Sequence, residues 1–177
     1  HSNFPALKKV MQHQAIVLAD EVYCLGDIVG YNTMPNEVID YLKNSRVKCI
    51  KGNHDKDVLN KKFSDQEFDI FKWTYEELSA DNLKWLEELP EFLDIDLCGH
   101  KAIFCHGSPN SISEYLHKDD ETAEKILLES TYDLIACAHT HIPYFKQIMN
   151  KYILNSGSVG KPKIGRPNST FCVLSVS

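Results

Sequence analysis

Four short apolar runs in this chain each stop abruptly at a cluster of Gly, Asp, Asn or His. VYCLGD ends in Gly26-Asp27, VKCIKGNHD in Gly52-Asn53-His54-Asp55, KAIFCHG in His106-Gly107, and DLIACAHTH in His139-Thr140-His141. His1 stands before the first of them. Short apolar runs closed by turn formers read as buried strands. Sheets of the α/β kind build their sites just beyond the carboxyl ends of such strands, where the backbone is rigid. The pattern therefore predicts one constellation, assembled from distant parts of the chain, of imidazoles, an amide and a carboxylate. That donor set describes a metal site of mixed N/O character.

The segments between the runs supply the rest of the architecture. Ser2 or Asn3 followed by Pro5 predicts a helix start, with an apolar face through Ala6 and Val10 toward Ile16–Leu18. Pro35 opens a second helix, with Val38, Ile39 and Leu42 at helical spacing. Residues 56–90 are helical in pattern and hold Trp73 and Trp85; Ser64 with Glu67 reads as a capping box, and Asp81 as a further cap. From Phe92 hairpins take over, one around Cys98-Gly99-His100 and one around Asn150-Lys151. Asp119–Ser130 returns to helix, and Thr170–Val176 reads as a last strand. Strands alternating with helices, then hairpins, imply an α/β protein with a mixed sheet or two packed sheets, in one domain over residues 1–177.

Composition narrows the class. A net charge of −6 opposes broad nucleic-acid or anionic-membrane binding, which needs a basic face. No stretch has the apolar length of a membrane span. The six cysteines form no CxxC pair and mostly sit inside strand-like runs, so reduced thiols and a cytoplasmic location are expected.

Each cluster has a definite chemistry. Asp27 can reach two metals, one through each oxygen, and Asn53 offers a neutral carbonyl oxygen. His106, His139 and His141 supply imidazoles, which suit Mn, Fe, Zn or Ni better than Mg or Ca. The x-spacing of His139 and His141 would put both rings on one side of an extended segment. Two divalent ions about 3.5–4 Å apart would clamp a phosphoryl group and ionise a bridging water as the nucleophile.

The ordered set of motifs resembles the calcineurin-like metallophosphoesterases: Gly26-Asp27-Ile-Val-Gly30, Gly52-Asn53-His54-Asp55, His106-Gly107, Ala138-His139-Thr140-His141 and the tail Asn155–Gly160. The likeness covers nearly the whole chain and looks like the small prokaryotic branch, with phosphodiesterases and relatives of diadenosine tetraphosphate hydrolases. It implies two mixed sheets packed face to face with helices outside. It implies one metal held by His1, Asp27 and His141 and another by Asp27, Asn53, His106 and His139, with manganese the first choice. His54 would steady the phosphate and protonate the leaving oxygen, and Asp55 would support its turn. The substrate would be a phosphate ester or nucleotide.

Two departures qualify the resemblance. Ala138 stands where the family has Gly. The first motif's Asp and a preceding strand would lie upstream of His1, so a further segment is expected there. Some members, a retromer subunit among them, keep the fold as a silent binding module; the presence of His54 weighs toward an enzyme. His13, His100 and His117 read as ordinary surface or core histidines. Tyr31, Tyr115 and Tyr144 are open candidates for stacking a base, and Lys161, Lys163 and Arg166 for contacting polyphosphate.

Overall fold

The structure is a computed structural model, and it describes residues 1–176. Its first half wraps helices around a small parallel pair. Strand β1 (Val22–Cys24) lies beside β2 (Val47–Cys49), with Val22 opposite Val47 and Cys24 opposite Cys49. Helix α1 (Phe4–Met11) starts as the sequence predicts: Asn3 Oδ1 accepts the Ala6 N–H, and Pro5 occupies the first turn, where no N–H partner is needed. It stops at Gln12, and the expected apolar face continues on a separate short helix, α2 (Gln14–Val17). Val10 and Ile16 still meet, in one cluster with Val22.

Helix α3 (Pro35–Lys43) buries Val38, Ile39 and Leu42, which fall on one face by their spacing. Helix α4 (Asn53–Leu59) begins inside the GNHD cluster itself. Helices α5 (Ile70–Glu77) and α6 (Ala80–Glu88) pack over it, with Phe71 and Trp85 against the core of Ile39, Val58 and Leu86. Their caps differ from the expected ones. Asp69, not Ser64, caps α5 by accepting from Phe71 and Lys72, while the Ser64 N–H itself donates to Asp69. Ser79, not Asp81, caps α6 through Asn82. In both cases the residue directly before the first helical turn wins, because only there does a short side chain reach the free N–H groups.

The second half is a five-stranded mixed sheet in the order β3-β4-β5-β7-β6. Strands β3 (Phe92–Leu97) and β4 (His100–Cys105) form the first expected hairpin, with Leu97 opposite His100. Helix α7 (Glu121–Glu129), capped by Asp120, carries the chain to β5 (Leu134–Cys137), parallel to β4. Strands β6 (Tyr144–Ile148) and β7 (Lys151–Asn155) make the second hairpin, and β7 runs parallel to β5. Its turn falls on Met149-Asn150, one residue earlier than expected, because Lys151 already pairs with Ile148. Met149 takes the left-handed conformation the turn requires, at φ 56°.

Ala123 and Leu127 of α7 cover one face of this sheet against Ile103, Ile135 and Ile153. The other face meets β1: the Tyr23 and Phe104 rings pack edge to face, 4.7 Å between centroids. The result is two packed sheets flanked by helices. The expected last strand is absent among the described residues. Residues 170–176 join no ladder, and their bonds go instead to the end of β7 and the loop after it, with the Thr170 N–H donating to Ser158 O at 3.0 Å and Cys172 Sγ to Asn155 O at 3.5 Å.

Candidate metal centre

Loops from the carboxyl ends of both sheets meet at Asp27. The contact is tight: His106, just past β4, places Nδ1 2.6 Å from Leu25 O, just past β1. The GD and GN loops touch backbone to backbone. A Cβ on Gly52 would lie 2.1 Å from the Asp27 nitrogen, so glycine is the residue that allows the approach. Asp55 locks the two loops together, its carboxylate accepting from Gly52 N at 2.8 Å, Val29 N at 3.0 Å and Ile28 N at 3.2 Å. The sequence assigned Asp55 this supporting role, and its contacts are consistent with it.

The two oxygens of Asp27 have different fates. Oδ1 accepts the His54 peptide N–H at 2.9 Å. Oδ2 is buried with no hydrogen-bond partner, 3.5 Å from His1 Nε2 and 3.3 Å from His106 Nε2. Oδ2 is thus the oxygen that faces both groups of histidines, while Oδ1 is engaged by a peptide N–H.

Four imidazoles are oriented by the same device. In each, one ring nitrogen meets a backbone carbonyl: His106 Nδ1 with Leu25 O, His139 Nε2 with Ser113 O (3.2 Å), His141 Nδ1 with Lys161 O (2.6 Å), and His1 Nδ1 with Val29 O (3.4 Å). The donor role at that nitrogen leaves a lone pair on the other, and this fixes the tautomer. Those second nitrogens point at one another. His106 Nε2 is 3.2 Å from His139 Nδ1 and 3.0 Å from Asn53 Oδ1, and His1 Nε2 is 3.1 Å from His141 Nε2. Acceptors facing acceptors around an unpartnered carboxylate oxygen need a shared cation or proton to stabilise them. Two groups have the spacing to hold a metal ion, His1 with Asp27 and His54, and Asp27 with His106 and His139.

The charges agree with a site short of positive charge. Burial alone would raise Asp27, but the adjacent His106 outweighs it and holds the carboxyl below its usual range. Burial would lower His106, and Asp27 reverses that and raises it. His139 and His141 have no carboxylate so close, and burial takes each down to about 4. Both are neutral at pH 7, as ligands must be.

The His-Thr-His segment differs from its expected form. His139 and His141 sit at φ 58° and 62°, so the chain turns tightly here and is not extended. That turn sends His139 to the His106 side and His141 to the His1 side. Asn155 supports it from below, fully buried, with its amide donating to Ala138 O at 2.5 Å and its oxygen accepting from Gly157 N at 2.9 Å.

His54, a member of the first group, is buried, with its ring 5.0 Å from that of His1 and edge-on to Phe71 at 4.9 Å. Its Nδ1 has no partner and would be 2.6 Å from a Cβ on Gly30, a residue quoted in the motif but not read as making room for this ring. Of the aromatic candidates, Tyr31 tilts against His54 at 4.6 Å and Tyr115 stacks on His139 at 3.9 Å. Tyr144 is elsewhere, donating to Leu116 O at 2.5 Å. The orienting carbonyls of Leu25, Val29, Ser113 and Lys161 were invisible in the sequence, since a backbone oxygen has no residue signature.

Comparison with known proteins places this geometry. The whole chain, residues 1–177, matches the calcineurin-like phosphoesterase superfamily domain. An uncharacterized protein of Methanocaldococcus jannaschii is 31% identical over 201 residues, covering 98% of this chain and 78% of that protein. A metallophosphoesterase from Sphaerobacter thermophilus superposes with a TM-score of 0.77 at 26% identity, covering 96% of this chain and 77% of the other. A hypothetical protein from Pyrococcus horikoshii OT3 gives 0.78 at 25% identity, over 90% and 73%. The chain belongs to the calcineurin-like phosphoesterase superfamily. Within it, the chain falls in the small prokaryotic branch. No helix among the described residues is long and apolar enough to cross a membrane.

Proposed function

We propose that this chain is a metal-dependent phosphoesterase, acting as a phosphodiesterase or nucleotide pyrophosphohydrolase on small phosphate esters. The observation that carries the reading is the buried, unpartnered Asp27 Oδ2, ringed by ring nitrogens whose lone pairs face inward. His1, Asp27 and His141 would hold one divalent ion, and Asp27, Asn53, His106 and His139 a second, with manganese favoured. Bound there, the ions supply the positive charge that stabilises a phosphoryl group in transfer and that makes water nucleophilic at neutral pH.

The protein's own groups do the rest. The carbonyl bonds hold the rings so that no reorientation is needed when substrate enters. His54 is placed to hold a proton for the leaving oxygen. Burial lowers its pKa, so in the free protein it is mainly neutral at pH 7. An anionic phosphate beside it would raise that value, loading the acid only when substrate is present.

Hydrolysis of bis-p-nitrophenyl phosphate with added Mn tests the reading. Replacing His54 with Asn should lower turnover at least about 100-fold, the usual worth of a general acid, while bound metal stays unchanged. A metal-loaded wild-type protein without turnover of mono- or diesters would instead indicate a binding module.

A further inference from the structure

The loop after β7 carries a lysine with an unusual setting. Its backbone is fixed: Lys161 O meets His141 Nδ1 at 2.6 Å, Lys161 N donates to Ser158 Oγ at 3.0 Å, and Gly160 O accepts from Asn3 Nδ2 at 3.1 Å. Its side chain is not. Lys161 makes no ion pair among the described residues, and its ammonium rests on the Tyr31 ring, 3.1 Å from the centroid. Tyr31 in turn lies against His54 at 4.6 Å and His1 at 4.9 Å. The ammonium is therefore parked one aromatic ring away from the candidate acid and one of the candidate ligands.

Tyr31 is held in that place at a cost. Its φ of 61° is left-handed, a conformation that disfavours a bulky residue. Asn32 keeps it there, its backbone N–H donating to Gly30 O at 2.8 Å and its amide to His1 O at 2.8 Å. A ring face is a weak partner for an ammonium. A phosphate oxygen is a stronger one, through a charge-assisted hydrogen bond. The four-carbon stem lets the ammonium leave the ring while its backbone stays bonded to His141. Lys163 and Arg166, further along the loop, are exposed.

We propose that Lys161 is a substrate-binding residue that moves from Tyr31 to a non-bridging phosphate oxygen, and that it favours phosphate groups carrying a second negative charge. Within the phosphoesterase reading, on which this rests, it selects monoester dianions and polyphosphate chains over internal diesters with one charge. Tyr31 is its resting surface and sets where the charge waits.

The test compares p-nitrophenyl phosphate with bis-p-nitrophenyl phosphate on the Mn-loaded protein, alongside calorimetric binding of inorganic phosphate. Lys161→Gln should raise KM for the monoester, and weaken phosphate binding, by about 10-fold or more, as loss of one charge-assisted bond implies. KM for the diester should change less than about threefold, Lys161→Arg should keep most of the monoester preference, and Arg166→Gln should alter neither. Equal losses on both esters, or unchanged phosphate affinity, would overturn the assignment. The two readings fail separately. Turnover with phosphate binding indifferent to Lys161 removes only the role of the lysine. Phosphate binding that depends on Lys161 in a protein without turnover keeps that role and removes the phosphoesterase.

Discussion

The Asp27 carboxylate accepts the His54 peptide N–H through Oδ1 at 2.9 Å, while its buried Oδ2 has no hydrogen-bond partner. It joins the loop that offers the carboxylate to the helix that presents the candidate acid. The candidate acid and the candidate bridging carboxylate are thus positioned by one contact, and disturbance of either loop should be felt by both.

Gly52→Ala tests that coupling. The added Cβ would meet the Asp27 backbone nitrogen at 2.1 Å and Oδ1 at 2.3 Å, and backbone cannot swing aside as a flexible side chain can. We expect a loss of about 1–3 kcal/mol in denaturant unfolding, with weaker Mn binding. Stability and Mn affinity equal to wild type would show that the loops are not in contact.

Asp55→Ala should be more damaging to the fold than to any chemical step. It leaves the N–H groups of Ile28, Val29 and Gly52 without their acceptor in a fully buried place. Orphaned donors cost about 1–3 kcal/mol each, so a total of about 3 kcal/mol or more is expected from chemical denaturation. A loss below about 1 kcal/mol would mean that water or another group replaces the carboxylate.

Stability of the metal-free protein should fall with acid between pH 6.5 and pH 4. His139 and His141 are depressed by burial to about 4 from 6.5, and burial lowers His54 as well. In that window the unfolded chain binds protons that these folded imidazoles refuse, so their contribution is complete above 6.5 and is lost as pH drops through the folded values. His106, raised by Asp27, and Asp55, raised by burial, work the other way and favour the folded state at lower pH, two groups against these three imidazoles. Thermal melts in chelator at pH 7.5 and 4.5 should show the lower midpoint in acid, with the difference reduced in His139→Gln. Equal midpoints would refute the balance of shifts.

Much of this site was legible because its side chains are chemically distinctive and arrive in order at strand ends. Asp27, Asn53, His54, His106, His139 and His141 all converge as their placement predicted, and His1 with them. What escaped depends on backbone geometry. The left-handed turn at His139 and His141 replaces an expected extended segment, and the different surroundings of the two Asp27 oxygens follow from a peptide N–H of His54. The caps at Asp69 and Ser79 displaced Ser64 and Asp81 by position alone. The segment from Thr170 has the residues of a strand, but strand formation is settled by pairing, and its bonds go to the end of β7 and the loop after it without forming a ladder.

The central claim is that the Asp27 carboxylate serves both proposed metal ions. Equilibrium dialysis against Mn, with metal counted per chain, measures it directly. Wild type should bind two ions, and Asp27→Asn, which keeps the side-chain shape and the acceptor for His54 but removes the carboxylate's charge, should lose both together. Two ions retained in Asp27→Asn, or one lost and the other bound as tightly as before, would contradict the bridging role.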